Sequence, residues 1–306
     1  MRWLNSRWAR GLVSTAQTGP PGTYYNSQLG SWIRKSGVAG VRFHEVSLAT
    51  CKRSEWAGRG VPLLPRLQAI RTTSIDMGPL FQCAVSLEPT CASPVFAVGP
   101  ILRQAEQLRL ELQSDTLFSV AVADAWALDQ WLAIDDISAQ HKMVTLSLSC
   151  PNEDVAKAVR HVESLTAAAH AGGLQVKARL AGAFLSDEGQ TDLHLLSDMV
   201  QGLADAGADL LILQGQGEED EDDVRDCIET ILGLDVSGES MFERLGLQVN
   251  PACTRMAAAL GICHFEAASS RAVPGGGASL LQCVDAVKGK HLASLDLAAA
   301  QSLDNK

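Results

Sequence analysis

Short apolar runs alternate along this chain with stretches whose apolar residues recur every three or four positions. Residues 40–48, 117–122, 143–149, 174–180, 209–213, 245–250 and 262–267 are each rich in Val, Ile, Leu or Phe. Their length and composition predict strands of a buried parallel sheet. Between them lie helical patterns. Residues 154–171 read DVAKAVRHVESLTAAAHA, with Asn152 or Asp154 placed to cap the helix. Residues 191–206 read TDLHLLSDMVQGLADA and stop at Gly207. Strand–helix alternation repeated this often implies a parallel sheet, either closed as a (β/α)₈ barrel or open and doubly wound. No strand is followed by GxGxxG or GxxxxGK[ST], so the nucleotide signatures of open sheets are missing. A barrel fits better.

Two segments break the rhythm. Residues 71–115 are long for one strand-to-helix connection and carry Pro79, Pro89, Pro94 and Pro100, with a polar helical pattern at 101–113. They read as an insertion in the barrel. Residues 218–223 are consecutive acids directly after a strand. Such a run either gathers carboxylates around a divalent cation at the carboxyl end of a barrel or begins a solvated helix whose dipole favours acids there.

Composition narrows the function classes. The 306 residues hold 25 Lys+Arg against 35 Asp+Glu, for a net charge of −10, and no internal basic block. Nucleic acid is therefore not the expected partner. No apolar stretch is long enough for a membrane span. The 8 cysteines form no CxxC pair and no Cys/His zinc spacing, which fits free thiols in a reducing compartment. The amino end carries Arg2, Arg7 and Arg10 among hydroxyl and large apolar residues, and the first acid of the chain is Glu45. Residues 1–20 thus have the composition of a mitochondrial transit peptide, which predicts a matrix location.

Taken in order, several segments resemble the 3-hydroxy-3-methylglutaryl-CoA lyase family of metal-dependent TIM-barrel lyases. The clearest is 36–70, where Ala39-Gly40, Glu45, Ser47, Lys52 and Trp56 follow the family's order. The second is 256–277, MAAALGICHFEAASSRAVPGGG, similar to the family's acid-bearing last strand and glycine-rich loop. The resemblance covers residues 24–300 and implies a (β/α)₈ barrel, with the family's first strand degenerate or missing. It also implies carbon–carbon cleavage of an acyl-CoA in leucine metabolism, with Mg or Mn as the divalent metal, and a homodimer.

The family's catalytic strings find few counterparts. Glu45 matches the acid of the second strand. The Arg-Asp-Gly of the first strand has no match, and the sixth strand ends in Gln214-Gly215-Gln216 where an Asp belongs. Gln248 and Asn250 occupy the places of the His-x-His metal ligands. Pro274-Gly275-Gly276-Gly277 lacks the loop Cys. Amides are poor substitutes for imidazoles on a transition metal. The expectation is therefore the fold with impaired or lost chemistry, acyl-CoA being the substrate if activity persists and protein partners if the barrel serves as a scaffold. Three further residues bear on a replacement mechanism. His264 and Glu266, two apart on a strand, share a face and could act as base and orienter. His44 and Glu45, being adjacent, face apart. Cys150 follows a strand as a candidate nucleophile, and the Pro-Gly loop could cradle a phosphate.

Overall fold

The computed structural model describes residues 23–26, 31–34, 42–45, 74–79, 116–135, 137–150, 154–184, 191–234, 241–267 and 280–287. The predicted transit peptide, the 101–113 helix and the Pro274–Gly277 loop lie outside these residues.

A short antiparallel hairpin, β1 (Thr23–Asn26) and β2 (Ser31–Arg34), precedes the main sheet. Eight parallel strands then close on themselves: β3 (Arg42–Glu45), β4 (Ser74–Pro79), β5 (Leu117–Ala121), β6 (Lys142–Ser149), β7 (Gln175–Ala181), β8 (Leu210–Gln214), β9 (Leu245–Gln248) and β10 (His264–Ala267). Helices α1 (Ala125–Leu132), α2 (Val155–Ala171), α3 (Leu193–Asp205), α4 (Glu221–Leu232), α5 (Pro251–Leu260) and α6 (Leu280–Val287) alternate with them. The fold is a (β/α)₈ barrel.

Closure corrects the sequence reading in two places. No strand is missing: β3 pairs with β10 and so takes the first barrel position, not the second. The second is β4, inside the stretch that reads as an insertion. Its sequence, SIDMGP, hides it. Ser74 and Asp76 face inward and Gly-Pro ends it, so no apolar run marks the strand.

The register fixes the geometry of the interior. From Arg179 the paired residues run through Ile212, Gly246 and His264 to Arg42. Climbing two residues on β3 gives His44–Ser74, and two on β4 gives Asp76–Ser119–Met143–Gln175. The path returns four residues below its start after climbing four, so the shear is eight, the value of a TIM barrel. Alternate strands therefore fill the interior in layers of four. From the amino end these are Leu210, His264, Ser74 and Met143; then Lys177, Gly246, His44 and Ser119; then Ile212, Glu266, Asp76 and Thr145. Above them stand Arg179, Gln248 and Ala121, and finally Gln214 and Ser147 toward the carboxyl-end mouth.

That interior is unusually polar for a barrel, where bulky aliphatics normally dominate. The apolar alternation visible in the sequence belongs to the outer face. Phe43, Ile75, Phe118, Val144, Val176, Leu211, Leu247 and Phe265 point outward and are buried under the helices. Trp131 of α1, Val162 and Leu165 of α2, Leu196 and Val200 of α3 and Ile228 of α4 complete this layer. The helices begin where the sequence supplies caps. Asp124, Asp154, Asp192, Asp220 and Asn250 each accept a first-turn backbone N–H. Gly261 ends α5 at φ 108°, the left-handed cap that glycine adopts freely.

Candidate functional site

Four charged side chains meet in the barrel. Lys177 Nζ donates to Glu266 Oε1 at 2.5 Å. Arg179 donates from Nε to Glu266 Oε2 at 2.7 Å, and from Nη2 to Glu266 Oε1 at 2.8 Å and Asp76 Oδ2 at 2.6 Å. Lys177 Nζ also lies 3.8 Å from Asp76 Oδ2. Lys177, Asp76 and Glu266 are shut off from solvent, while 13% of the Arg179 side chain remains accessible. The layering explains the order: Lys177 below, both carboxylates in the layer above it, and Arg179 above them facing the mouth. Burial alone would push the Glu266 carboxyl up, but Arg179 and Lys177 outweigh it and hold it below the usual carboxylate range. Burial also works against the Arg179 charge, and Glu266 and Asp76 reverse that, so its pKa is raised. The quartet sets two cationic side chains against two carboxylates, and the shifts on Glu266 and Arg179 both favour the charged form.

Beneath it, at the amino end, lies an imidazole chain. His44 Nδ1 meets Ser74 Oγ at 2.8 Å, and His44 Nε2 meets His264 Nδ1 at 3.0 Å. The rings are stacked with centroids 5.3 Å apart. Burial, then Arg42, lowers the His264 pKa to about 3, against a hydrogen bond to the Glu243 backbone that raises it. Burial, then His264 and Lys177, lowers that of His44, so both rings are neutral. Ser74, His44 and His264 thus form one hydrogen-bonded chain, in which the donor and acceptor roles of each ring nitrogen follow from its tautomer.

The sequence candidates fall out as follows. His264 and Glu266 do share the inward face, but they do not form a base-and-orienter pair. Glu266 is held by the two cations, and His264 by His44. Glu45 ends β3, with its side chain outside the described residues, and it stands on the first strand. The inward acid of the second strand is Asp76. Gln248 faces inward and is buried. Asn250 does not continue that alternation. It lies beyond β9, where its Oδ1 caps α5 at Cys253 N (2.9 Å) and its Nδ2 donates to Glu219 O (2.9 Å) and Oε2 (3.1 Å). Both ends of that amide are committed to structure.

The acidic run is likewise structural. Glu219 accepts from the backbone of Gly217 and Asn250, tying the β8–α4 loop to the start of α5. Asp220 caps α4, and Glu221, Asp222 and Asp223 fill its first turn. Cys150 is half-buried, and burial, then Asp192, raises its thiol pKa, which disfavours the thiolate. Among the described residues no group of three or more His, Cys, Asp or Glu side chains could hold a metal ion. Gln248 and Asn250 supply one buried amide and one amide committed to a helix cap. No described helix is long and apolar enough to cross a membrane.

Sequence reasoning missed Lys177, Arg179, Asp76 and Ser74. A signal existed for the first two: QVKARLA places two cations at alternate positions of a strand whose other face is Val, Ala and Leu. On a buried strand that pattern requires internal carboxylates.

No family model and no curated protein matches the chain. Solved structures do. The Bacillus subtilis HMG-CoA lyase is 15% identical with a TM-score of 0.62, over 87% of this chain and 92% of that one. The HMG-CoA lyase from Brucella melitensis is 14% identical with a TM-score of 0.63, over 86% and 96%. The carboxyl transferase domain of Rhizobium etli pyruvate carboxylase, solved with pyruvate and biocytin, is 13% identical with a TM-score of 0.60, over 87% and 46%. This chain therefore has the fold shared by HMG-CoA lyases and that carboxyl transferase domain.

Proposed function

We propose that this chain is a divergent barrel of the 3-hydroxy-3-methylglutaryl-CoA lyase type whose carbon–carbon cleavage chemistry is impaired or lost, and which serves as a binding or scaffold subunit. One observation carries the reading: Asn250, at the place of a metal-ligating imidazole, uses both ends of its amide to cap α5 and hold Glu219. An amide so held would have to break the start of α5 to turn toward a cation. Gln248, the other candidate donor, is a neutral amide in the same barrel layer as Arg179. The amino-terminal composition supports a place in the mitochondrial matrix, where protein partners or a second copy of the chain would be met.

The test is calorimetric titration of the full chain with Mn²⁺ and Mg²⁺, with and without 3-hydroxy-3-methylglutaryl-CoA, beside an assay for acetoacetate. The expected result is no stoichiometric metal binding and no acetoacetate. Metal-dependent release of acetoacetate would overturn the proposal and restore the active reading, with an acyl-CoA substrate and a divalent cofactor. Import of the full chain into isolated mitochondria, with trimming near residue 20, checks the location. An unprocessed chain left outside would refute it.

A further inference from the structure

The carboxyl-end mouth of the barrel has a built floor. Arg179 is fixed on one side by three hydrogen bonds, from Nε and Nη2 to Glu266 and Asp76. Among the described residues Nη1 has no hydrogen-bond partner, and it is not one of the buried unpartnered atoms. The accessible 13% of this side chain is thus turned away from the carboxylates. A second observation is independent of the first. Ser147 is the register partner of Arg179 on β6 and faces the same interior, yet it is exposed. Solvent therefore enters the barrel down to the level of the guanidinium. Gln214 and Gln248, partners of one another on β8 and β9, carry amides on the two strands that follow β7, on the side of Arg179 away from Ser147, and Ala121 on β5 leaves room across from them.

We propose that this cup binds a small carboxylate, anchored on Arg179 Nη1, with Ser147 and the amides of Gln214 and Gln248 meeting an adjacent oxygen of the ligand. The charge layering selects the class. Among the described residues, the first charge met in the lumen from the mouth is the guanidinium and the next layer holds two carboxylates, while Lys177 lies deeper. A single negative charge at the floor gains from the guanidinium, whereas a phosphate dianion would stand over Asp76 and Glu266 and be repelled more strongly. Because the fork is already pinned, ligand binding freezes no further arginine rotamer. The inference deepens the non-catalytic reading by naming a ligand class for the mouth, and it rests on that reading only in needing no metal there.

The experiment is calorimetry on the full chain in EDTA, with pyruvate, acetate and inorganic phosphate as probes. Pyruvate, which offers a carboxylate and a neighbouring carbonyl, should bind one per chain with Kd on the order of 1 mM. Acetate should bind more weakly, and phosphate at least tenfold more weakly than pyruvate. Ser147→Phe fills the cup from an exposed position without touching the quartet, and should weaken pyruvate at least tenfold with an unchanged thermal midpoint. Ser147→Ala should change it less than threefold. Phosphate binding as tightly as pyruvate, or pyruvate binding untouched by Ser147→Phe, would overturn the proposal, as would absence of pyruvate binding to folded protein. Since metal is chelated throughout, failure here leaves the acetoacetate assay to decide the lyase question separately.

Discussion

The interior quartet makes a sharp prediction about stability. Glu266→Gln keeps the side chain's shape and removes one negative charge from a site where Lys177 and Asp76 have no access to solvent. At an effective dielectric of about 20, the Lys177–Glu266 pair at 2.5 Å attracts by roughly 7 kcal/mol. Desolvation of the two ions costs several kcal/mol each, so the intact pair is close to neutral for stability. Removing one partner is different. Two cations would then share Asp76 alone, and the amide hydrogens of Gln would face donors on Lys177 or Arg179. The expected loss is about 3–5 kcal/mol. Lys177→Met should cost a similar amount, because it removes one of the two cations set against Glu266 and Asp76. The double variant restores balance: Arg179 keeps Asp76, Met fills the lysine's volume, and the Gln carbonyl accepts from Arg179. It should lie within about 2 kcal/mol of the native protein.

Urea unfolding of the full chain at pH 7.5, followed by far-ultraviolet circular dichroism, gives all three numbers. Single variants within 1 kcal/mol of native would show that the quartet is hydrated or rearranged. A double variant as unstable as the summed singles would show that the residues act independently. Either result refutes the charge-balance argument.

Other consequences are simpler to check. Both buried imidazoles have depressed pKa values, His264 at about 3, whereas the unfolded rings protonate near 6.5. Between those values the unfolded chain binds more protons, so stability falls as pH drops. The His264 ring should remove roughly 2 kcal/mol between pH 7 and 5, and His44 acts in the same direction. The Glu266 contribution is fully present above the ordinary carboxylate pKa and is lost only as pH falls below it. It therefore stays constant across that window. Urea midpoints that do not move between pH 7 and 5 would exclude neutral buried rings, and His264→Gln should reduce the shift. Asn250→Ala removes the α5 cap and the tie to Glu219, and should cost about 1–2 kcal/mol, with Asn250→Ser recovering part of it. Gly246→Ala puts a methyl 2.6 Å from Ile212 Cδ1 and 2.8 Å from His264 Cβ. Overpacking of this kind should cost about 1–3 kcal/mol by thermal melting, and an unchanged midpoint would contradict the layer assignment.

What the sequence revealed follows from which face of each strand carries the signal. The outward residues Val176, Ala178 and Leu180 of β7, or Leu211 and Leu213 of β8, are apolar because helices cover them. They make the runs from which seven of the eight barrel strands can be read. Helix starts were legible for a separate reason, since Asp154 and Asn250 are short acceptors at the turn before a periodic stretch. β4 was hidden because only Ile75 represents its apolar face among the described side chains, while Ser74 meets His44 on the adjacent strand and Asp76 meets Arg179 across the lumen. The site was hidden for the same reason. Arg179 and Glu266 lie 87 residues apart, and only closure of the barrel, with its shear of eight, brings their layers together. His264 and Glu266 resemble a catalytic pair in one strand, yet each finds its partner on a different strand.

This separation of faces also explains how the fold and the chemistry can part company. The outer apolar layer and the caps determine that eight strands close under helices, and they make no demand on which polar groups point inward. Within the lumen the requirement is only that charges balance and donors meet acceptors. A metal-binding set satisfies it, and so does a lysine and an arginine set against two carboxylates. Two barrels can therefore share this fold at 13–15% identity without sharing the polar groups of their lumens. Among the described residues, Asp76 and Glu266 are turned toward internal cations, and the guanidinium of Arg179 is the charged lumen group nearest the mouth. A barrel arranged in this way is suited to hold an anion at its mouth rather than to gather a cation there.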